Sequence, residues 1–379
     1  MKNIIVVGAG ILGASAAYHL TKYSANEQIQ VTLVDGRHPG RATDAAAGII
    51  CPWLSQRRNQ AWYRLAKAGA RYYPELTGML HADGQSETGY ARVGAVSLHT
   101  DARKIEQMRE RAEKRKADAP EIGDIEVLGE EQVKALFPLL GEGYQAVRVS
   151  GAARVDGAKL RDALIAAAVS RGAVLHEGEA VLSTENGHVT GVTVNGETLP
   201  GDEVILCAGA WADKLLKPLR LDFRVTYQKG QILHLQSPDQ PGSGTWPVVI
   251  PPTDQYLLAF DDGKIVAGAT HENDAALGDI RVTAGGMHEV LSKGLELAPG
   301  LADCELEEVR VGFRPFTPGF LPVIGRVPGW EGLIAANGLG ASGLTMGPFL
   351  GSQLAKLALG LKPDVPLEDY DVKHAINEK

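Results

Sequence analysis

Hydrophobic and polar positions divide the chain into stretches of recognisable period. Ile4-Ile5-Val6-Val7 is an unbroken apolar run, which predicts a strand buried on both faces. Helical spacing follows over 11–24, and a second strand runs from Ile29 to Val34 and ends in Asp35. Trp62, Leu65, Ala66, Gly69, Tyr72, Tyr73 and Leu76 recur every three or four positions, predicting a core-facing helix over 59–80 that Pro74 should kink or end. Residues 101–118 mix both charges with few apolar positions and read as a solvated surface helix. A helix over 157–171 puts Leu160, Leu164, Ile165 and Ala168 on one face. Short strands then flank Asn186-Gly187 and Asn195-Gly196, both strong hairpin turns. A strand over 203–208 leads into Gly209-Ala210-Trp211.

From 221 to 328 the pattern changes to alternating strands. Examples are Arg224 to Leu235 and Tyr256 to Thr270, the latter a pair joined at Asp261-Asp262-Gly263. These predict a mostly antiparallel sheet in a separate layer. The end of the chain returns to strand (Leu333 to Ala336), glycine turn and a helix to about Leu359. The expected organisation is therefore α/β, with two interleaved domains. One is a nucleotide-binding domain from segments 1–84, 145–220 and 329–379; the other is a substrate domain from 85–144 and 221–328.

Composition narrows the class. The 379 residues exceed one ordinary core, and 44% apolar with 22% charged is a globular balance. A net charge of −8 without a basic block makes nucleic acid an unexpected partner. Three scattered cysteines (Cys51, Cys207, Cys304) suggest a reducing compartment rather than a disulfide framework. The first strand begins so near Met1 that no signal peptide is expected, and no apolar run is long enough for a transmembrane anchor. The expected location is the cytoplasm, with peripheral association at the inner face of a membrane left open.

The chemistry begins at Gly8-Ala9-Gly10-Ile11-Leu12-Gly13, between the first strand and the first helix. In such a turn Gly8 permits the tight bend, Gly10 lets a pyrophosphate approach the backbone, and Gly13 lets helix and strand pack closely. The helix start favours phosphate, and Asp35 can accept bonds from both ribose hydroxyls while repelling a 2′-phosphate. FAD or NAD is expected, and NADP is not. Gly338-Leu339-Gly340-Ala341-Ser342-Gly343 repeats the glycine spacing, but no strand ending in an acid follows it. The start of the helix over 343–359 instead suits a group that becomes negative during reaction, as a reduced flavin does around N1 and the C2 carbonyl. No H-E-x-x-H or G-x-S-x-G motif occurs, and His271-Glu272 reads as a surface pair rather than half a metal site.

Four stretches together resemble the FAD-dependent D-amino-acid oxidase superfamily, especially its glycine oxidase and bacterial D-amino-acid dehydrogenase branches. They are the amino-terminal fingerprint, Ala42-Thr43-Asp44-Ala45-Ala46-Ala47-Gly48-Ile49, Val204 to Trp211, and Val311 through Gly347. The resemblance implies an FAD-binding Rossmann-like domain of the glutathione-reductase type beside the antiparallel substrate domain. It also implies that the 43–49 loop, including Thr43, Asp44, Ala47, Gly48 and Ile49, wraps the flavin. Ala180, Val181, Ala208 and Gly209 would touch the cofactor, and the turn Gly338, Leu339, Gly340, Ser342, Gly343 and Leu344 would sit over its pyrimidine edge. Arg314, in Gly312-Phe313-Arg314-Pro315, would grip the substrate carboxylate, helped by Tyr256. A guanidinium fork can make two parallel bonds to a carboxylate where an ammonium cannot. Some relatives carry a basic residue where this chain has Leu339, which leaves room for bulkier or secondary amines. No cysteine or histidine stands where related branches attach their flavin, so non-covalent FAD is expected.

The implied activity is oxidation of a small amino acid, glycine or of the D-type, at its α-carbon by hydride transfer to flavin N5. The imino acid formed would hydrolyse to a keto acid and ammonia. Alternatives are an N-methyl or cyclic amino-acid oxidoreductase, an NAD-dependent dehydrogenase, and a non-catalytic FAD-holding subunit. Oxygen or a quinone or partner protein would take the electrons, and a homo-oligomer is compatible with the sequence.

Overall fold

The computed structural model describes residues 1–23, 29–238, 240 and 242–378. Among these residues a six-stranded sheet runs in the order Val323–Arg326, Leu333–Asn337, Glu203–Leu206, Lys2–Val7, Ile29–Asp35 and Val174–Glu177. All neighbours are parallel except the 323–326 edge strand. Ile4, Ile5 and Val6 are buried on both faces of the sheet, as their unbroken apolar run requires. Three hydrogen-bonded strands, Ala180–Glu185, His188–Val194 and Glu197–Pro200, cover one side. Both hairpin turns have two central residues at positive φ: Asn186 and Gly187, then Asn195 and Gly196. That is the turn type the asparagine-glycine pairs predict.

Helices Ile11–Tyr23, Gly157–Ser170, Gly343–Ala358 and Gln60–Ala82 share one core on the other side. The first predicted helix extended to residue 24, which lies outside the described residues. Two glycines let the first and last helices cross closely. A Cβ at Gly351 would stand 2.4 Å from Ser15 Cβ, and one at Gly347 would stand 2.9 Å from Ile11 Cγ2. The crossing brings the starts of both helices to one place. Pro348 deprives the Leu344 carbonyl of its helical donor, and the Tyr73 hydroxyl donates to that carbonyl at 2.6 Å instead. Pro74 does not end its helix, which continues to Ala82.

The second sheet has eight strands, in the order Glu305–Phe316, Thr226–Gln236, Lys264–Gly268, Tyr256–Ala259, Val248–Ile250, Ala95–His99, Gln145–Val149 and Ile125–Leu128. It is antiparallel throughout except where 248–250 meets 95–99. Helix Ala102–Lys116 is solvated on most of its surface but buries Ile105, Met108 and Ala112. No helix among the described residues is long and apolar enough to cross a membrane.

Candidate active site

One cavity of about 650 Å³ runs from the end of the second parallel strand to the face of the antiparallel sheet. At the first end, the three glycines of the opening turn do different things. Gly8 holds φ at +100°, and a Cβ there would stand 2.5 Å from the Cys207 carbonyl oxygen. A Cβ at Gly13 would fall 1.9 Å from the Gly8 carbonyl oxygen. Both are demanded by packing. A Cβ at Gly10 would point into the cavity and meet only Thr43 Oγ1, at 3.4 Å. That space is what a pyrophosphate needs, beside the positive end of a helix.

Asp35 closes this end. Its Oδ1 accepts from the Ala9 amide at 3.3 Å, and the Arg41 guanidinium pairs with Oδ2. The Ile11 amide donates to Thr43 Oγ1 at 3.0 Å, fixing the 41–49 loop against the first helix. Gly48, at φ +93°, passes so close to Val155 that a Cβ would stand 1.9 Å from its carbonyl oxygen.

The last glycine turn lines the same cavity. Asn337 Nδ2 donates to the Gly209 carbonyl at 2.8 Å, and Asn337 Oδ1 accepts from the Gly338 amide at 2.7 Å. Gly338 and Gly340 both hold positive φ, and a Cβ at Gly340 would meet the Phe316 ring at 2.4 Å. The Trp62 indole donates to Ser342 Oγ at 3.3 Å where the last helix begins.

At the far end, Arg314 and Tyr256 reach the cavity from two strands of the antiparallel sheet. Register places Arg314 opposite Gln228, whose Oε1 accepts from Arg314 Nη1 at 2.9 Å. The same nitrogen donates to the Thr270 carbonyl at 3.1 Å. Both acceptors are neutral, and no carboxylate among the described residues pairs with this guanidinium. The Tyr256 hydroxyl lies against Gly268 and interacts with Arg314. Burial pushes the phenol up to about 12, Arg314 opposing the shift, so it stays a proton donor at neutral pH.

Of the residues singled out in the sequence, this cavity gathers Gly8, Gly10, Ile11, Leu12, Asp35, Thr43, Ala47, Gly48, Ile49, Ala180, Val181, Ala208, Gly209, Gly338, Leu339, Gly340, Ser342, Gly343, Leu344, Tyr256 and Arg314. Two do not line it. Gly13 serves the helix–strand contact, and Asp44 turns into a neighbouring cleft, drawn there by Arg161 and Arg41. His271 and Glu272 are both partly exposed but face different neighbours. Glu272 turns inward, accepting from Gln231 at 2.7 Å and Thr270 at 2.7 Å, while His271 lines the cavity. Arg41, Gln228 and Thr270 were not legible as site residues, because strand register and loop path bring them there.

The donor set fits FAD. Asp35 would hold the adenosine ribose, Gly10 and the first helix the pyrophosphate, and the apolar Ile11, Ala46, Ala47, Ile49 and Leu344 the flavin rings. Cys51 lines the cavity, but burial pushes its thiol up to about 12, so it is no thiolate nucleophile at neutral pH.

Comparison with known proteins identifies the family. Residues 3–357 match the model of the FAD dependent oxidoreductase (DAO) family. The chain is 61% identical to an uncharacterized oxidoreductase of Bacillus subtilis, over 99% of this chain and 100% of that one. It is 31% identical to a glycine oxidase of Pseudomonas aeruginosa, over 97% and 98%. The crystal structure of iminodiacetate oxidase from Chelativorans superposes with a TM-score of 0.93 at 46% identity, covering 97% of this chain and 98% of that one.

Proposed function

The chain belongs to the DAO family of FAD-dependent oxidoreductases, and from that premise we propose that it oxidises a small amino acid at a carbon bonded to nitrogen. The observation that carries this reading is Arg314: a partly buried guanidinium, tied to neutral acceptors only, in the cavity that the dinucleotide-binding turn opens. A planar fork so placed is suited to a carboxylate.

Bound FAD supplies the two-electron acceptor. The protein supplies binding and orientation. Arg314 Nη1 is anchored to Gln228 and Thr270, which aims the rest of the guanidinium. Tyr256 donates its hydroxyl hydrogen to the same carboxylate. With the carboxylate held, the adjacent carbon can present one hydrogen in one direction, and that orientation accounts for much of the rate. The amine enters uncharged, so no side-chain base is required. The carbon gives up a hydrogen with two electrons, the nitrogen gives its proton to water, and the imine hydrolyses to an oxo acid and an amine or ammonia. The start of the 343–358 helix lines the cavity, and its dipole would favour a cofactor group that becomes negative there.

Secondary amines, the N-substituted glycines, form a second reading. Leu339 gives the final turn an apolar wall, and the likeness to an iminodiacetate oxidase supports the same subclass. Anaerobic stopped-flow reduction with D- and L-enantiomers tests the orientation argument. The D-form should bleach the flavin faster, as the resemblance to D-amino-acid oxidases implies; a faster L-form would overturn that expectation.

A further inference from the structure

Resting on that reading, we propose that His271 binds a second carboxylate of the substrate, so that the preferred substrates are small secondary amines bearing an acid on both arms. His271 lies one residue beyond Thr270, whose carbonyl anchors Arg314. Both side chains line the same cavity. The imidazole is 42% exposed, and neither ring nitrogen makes a hydrogen bond among the described residues. Its nearest carboxylate is Asp254, with Oδ2 3.8 Å from Nδ1. Lys293 holds both oxygens of that carboxylate at 3.1 Å and also bonds Glu289 at 2.9 Å, so Asp254 is already neutralised by another partner.

The backbone that carries His271 is fixed. Thr270 Oγ1 donates to Glu272, Gln228 Nε2 donates to Asn273 at 2.9 Å, and the buried Lys229 ammonium donates to the Arg281 carbonyl at 2.9 Å. The backbone bridge of Glu272 to Lys229 therefore anchors the segment that carries the imidazole, rather than leaving it a free loop. The other cations lining the cavity, His38, Arg41 and Lys214, stand with the residues of the dinucleotide end. Leu54, Ile250 and Leu339 give the cavity an apolar wall, and Asp254, held by Lys293, and Gln255 also line it next to Tyr256. Among the described residues that line the cavity, His271 is the base outside the dinucleotide end that protonation can turn into a cation for a second acid.

Protonation follows from the groups around the ring. Burial and the Arg314 guanidinium hold the histidine below its ordinary value, Lys293 adds to this, and Asp254 and Glu289 oppose it; the nearby Tyr256 remains neutral. An anion arriving between Arg314 and His271 reverses the balance and draws a proton onto the ring. Binding of a diacid is thereby coupled to proton uptake more strongly than binding of a monoacid, whose single carboxylate only offsets Arg314.

Oxydiacetate and methoxyacetate test this on the holoenzyme, because neither carries an amine and they differ in the second carboxylate alone. Their dissociation constants can be measured by flavin absorbance perturbation and by calorimetry, without turnover. Wild type should prefer oxydiacetate about tenfold or more near pH 6.5, the order of one charge-assisted hydrogen bond. That ratio should fall as pH rises. His271→Leu should bring the ratio close to one, and His271→Lys should restore it and flatten its pH dependence. Equal affinities in wild type, or a ratio that His271→Leu leaves intact, would overturn the proposal. A histidine acting as a base would lower turnover in His271→Leu and leave the ratio intact, so that outcome also counts against it. Failure of every amino acid to bleach the flavin would instead refute the amine-oxidase reading, and the equilibrium titration would still decide the role of His271.

Discussion

The Arg314 guanidinium fills the space that a side chain on Gly230 would occupy: a Cβ there would stand 2.7 Å from Nη2 and 2.9 Å from Cζ. Gly230 sits two positions from Gln228 in the strand that pairs with the one carrying Arg314. Gly230→Ala should displace only the end of a flexible side chain, so the protein should fold and retain its flavin. The grip on carboxylate would suffer. We expect KM to rise about tenfold for carboxylated substrates, the loss of roughly one charge-assisted hydrogen bond. Steady-state kinetics alongside flavin content and Tm check this.

Arg314→Lys tests the fork itself. An ammonium cannot span both Gln228 and a carboxylate with the same geometry, so orientation is lost along with a bond. The expected loss is roughly 1.5–3 kcal/mol, at least tenfold in kcat/KM, with FAD retained. Unchanged kinetics would remove Arg314 from the site.

The opening glycines separate cofactor binding from folding. Gly10→Val places its side chain in the cavity, and the backbone there holds no positive φ. It should fold as a colourless apoprotein. Gly13→Ala would drive a methyl against the Gly8 carbonyl and should lower Tm or block expression. In wild type the yellow colour should leave with the supernatant after acid precipitation, as free FAD; colour that stays with the pellet would contradict non-covalent binding.

Local pattern carried much of this site. Gly8, Gly10 and Asp35 are linked by one strand–helix–strand unit, so spacing alone sufficed to place them together. The substrate end was harder. Arg314 and Tyr256 came from likeness to a family, while Gln228 and Thr270 reach Arg314 only through the pairing of strands far apart in sequence. Asp44 failed for an electrostatic reason: two arginines compete for it, and one, Arg161, lies 117 positions away. Gly230 and Gly268 carry a further signal in the sequence. An isolated glycine in a strand often marks a close approach, and here the approaching groups are the Arg314 guanidinium and the Tyr256 hydroxyl.

Acid should destabilise the fold through two buried histidines. His19 bonds Ser15 and Tyr72 inside the helical core, and His234 has no hydrogen bond to either ring nitrogen. Burial lowers both from an ordinary 6.5 to about 4. Between those values the unfolded chain binds a proton that the folded chain excludes, so stability is present near neutrality and is lost as pH falls from 6.5 toward 4. Going from pH 7 to pH 5 should cost about 2 kcal/mol per histidine. Thermal denaturation against pH measures this, and His19→Gln should remove about half of the dependence.

The central claim is that Arg314 reads the substrate carboxylate in an FAD-holding cavity. Its most direct test is anaerobic mixing of the purified yellow protein with paired compounds: sarcosine and dimethylamine, D-alanine and ethylamine, N-ethylglycine and N-methylethylamine. Flavin absorbance should bleach with at least one carboxylated member and not with its counterpart lacking the acid, and Arg314→Lys should slow the bleaching at least tenfold. Equal bleaching by both members of a pair, or no bleaching by any amino acid in a protein whose flavin dithionite reduces, would contradict it.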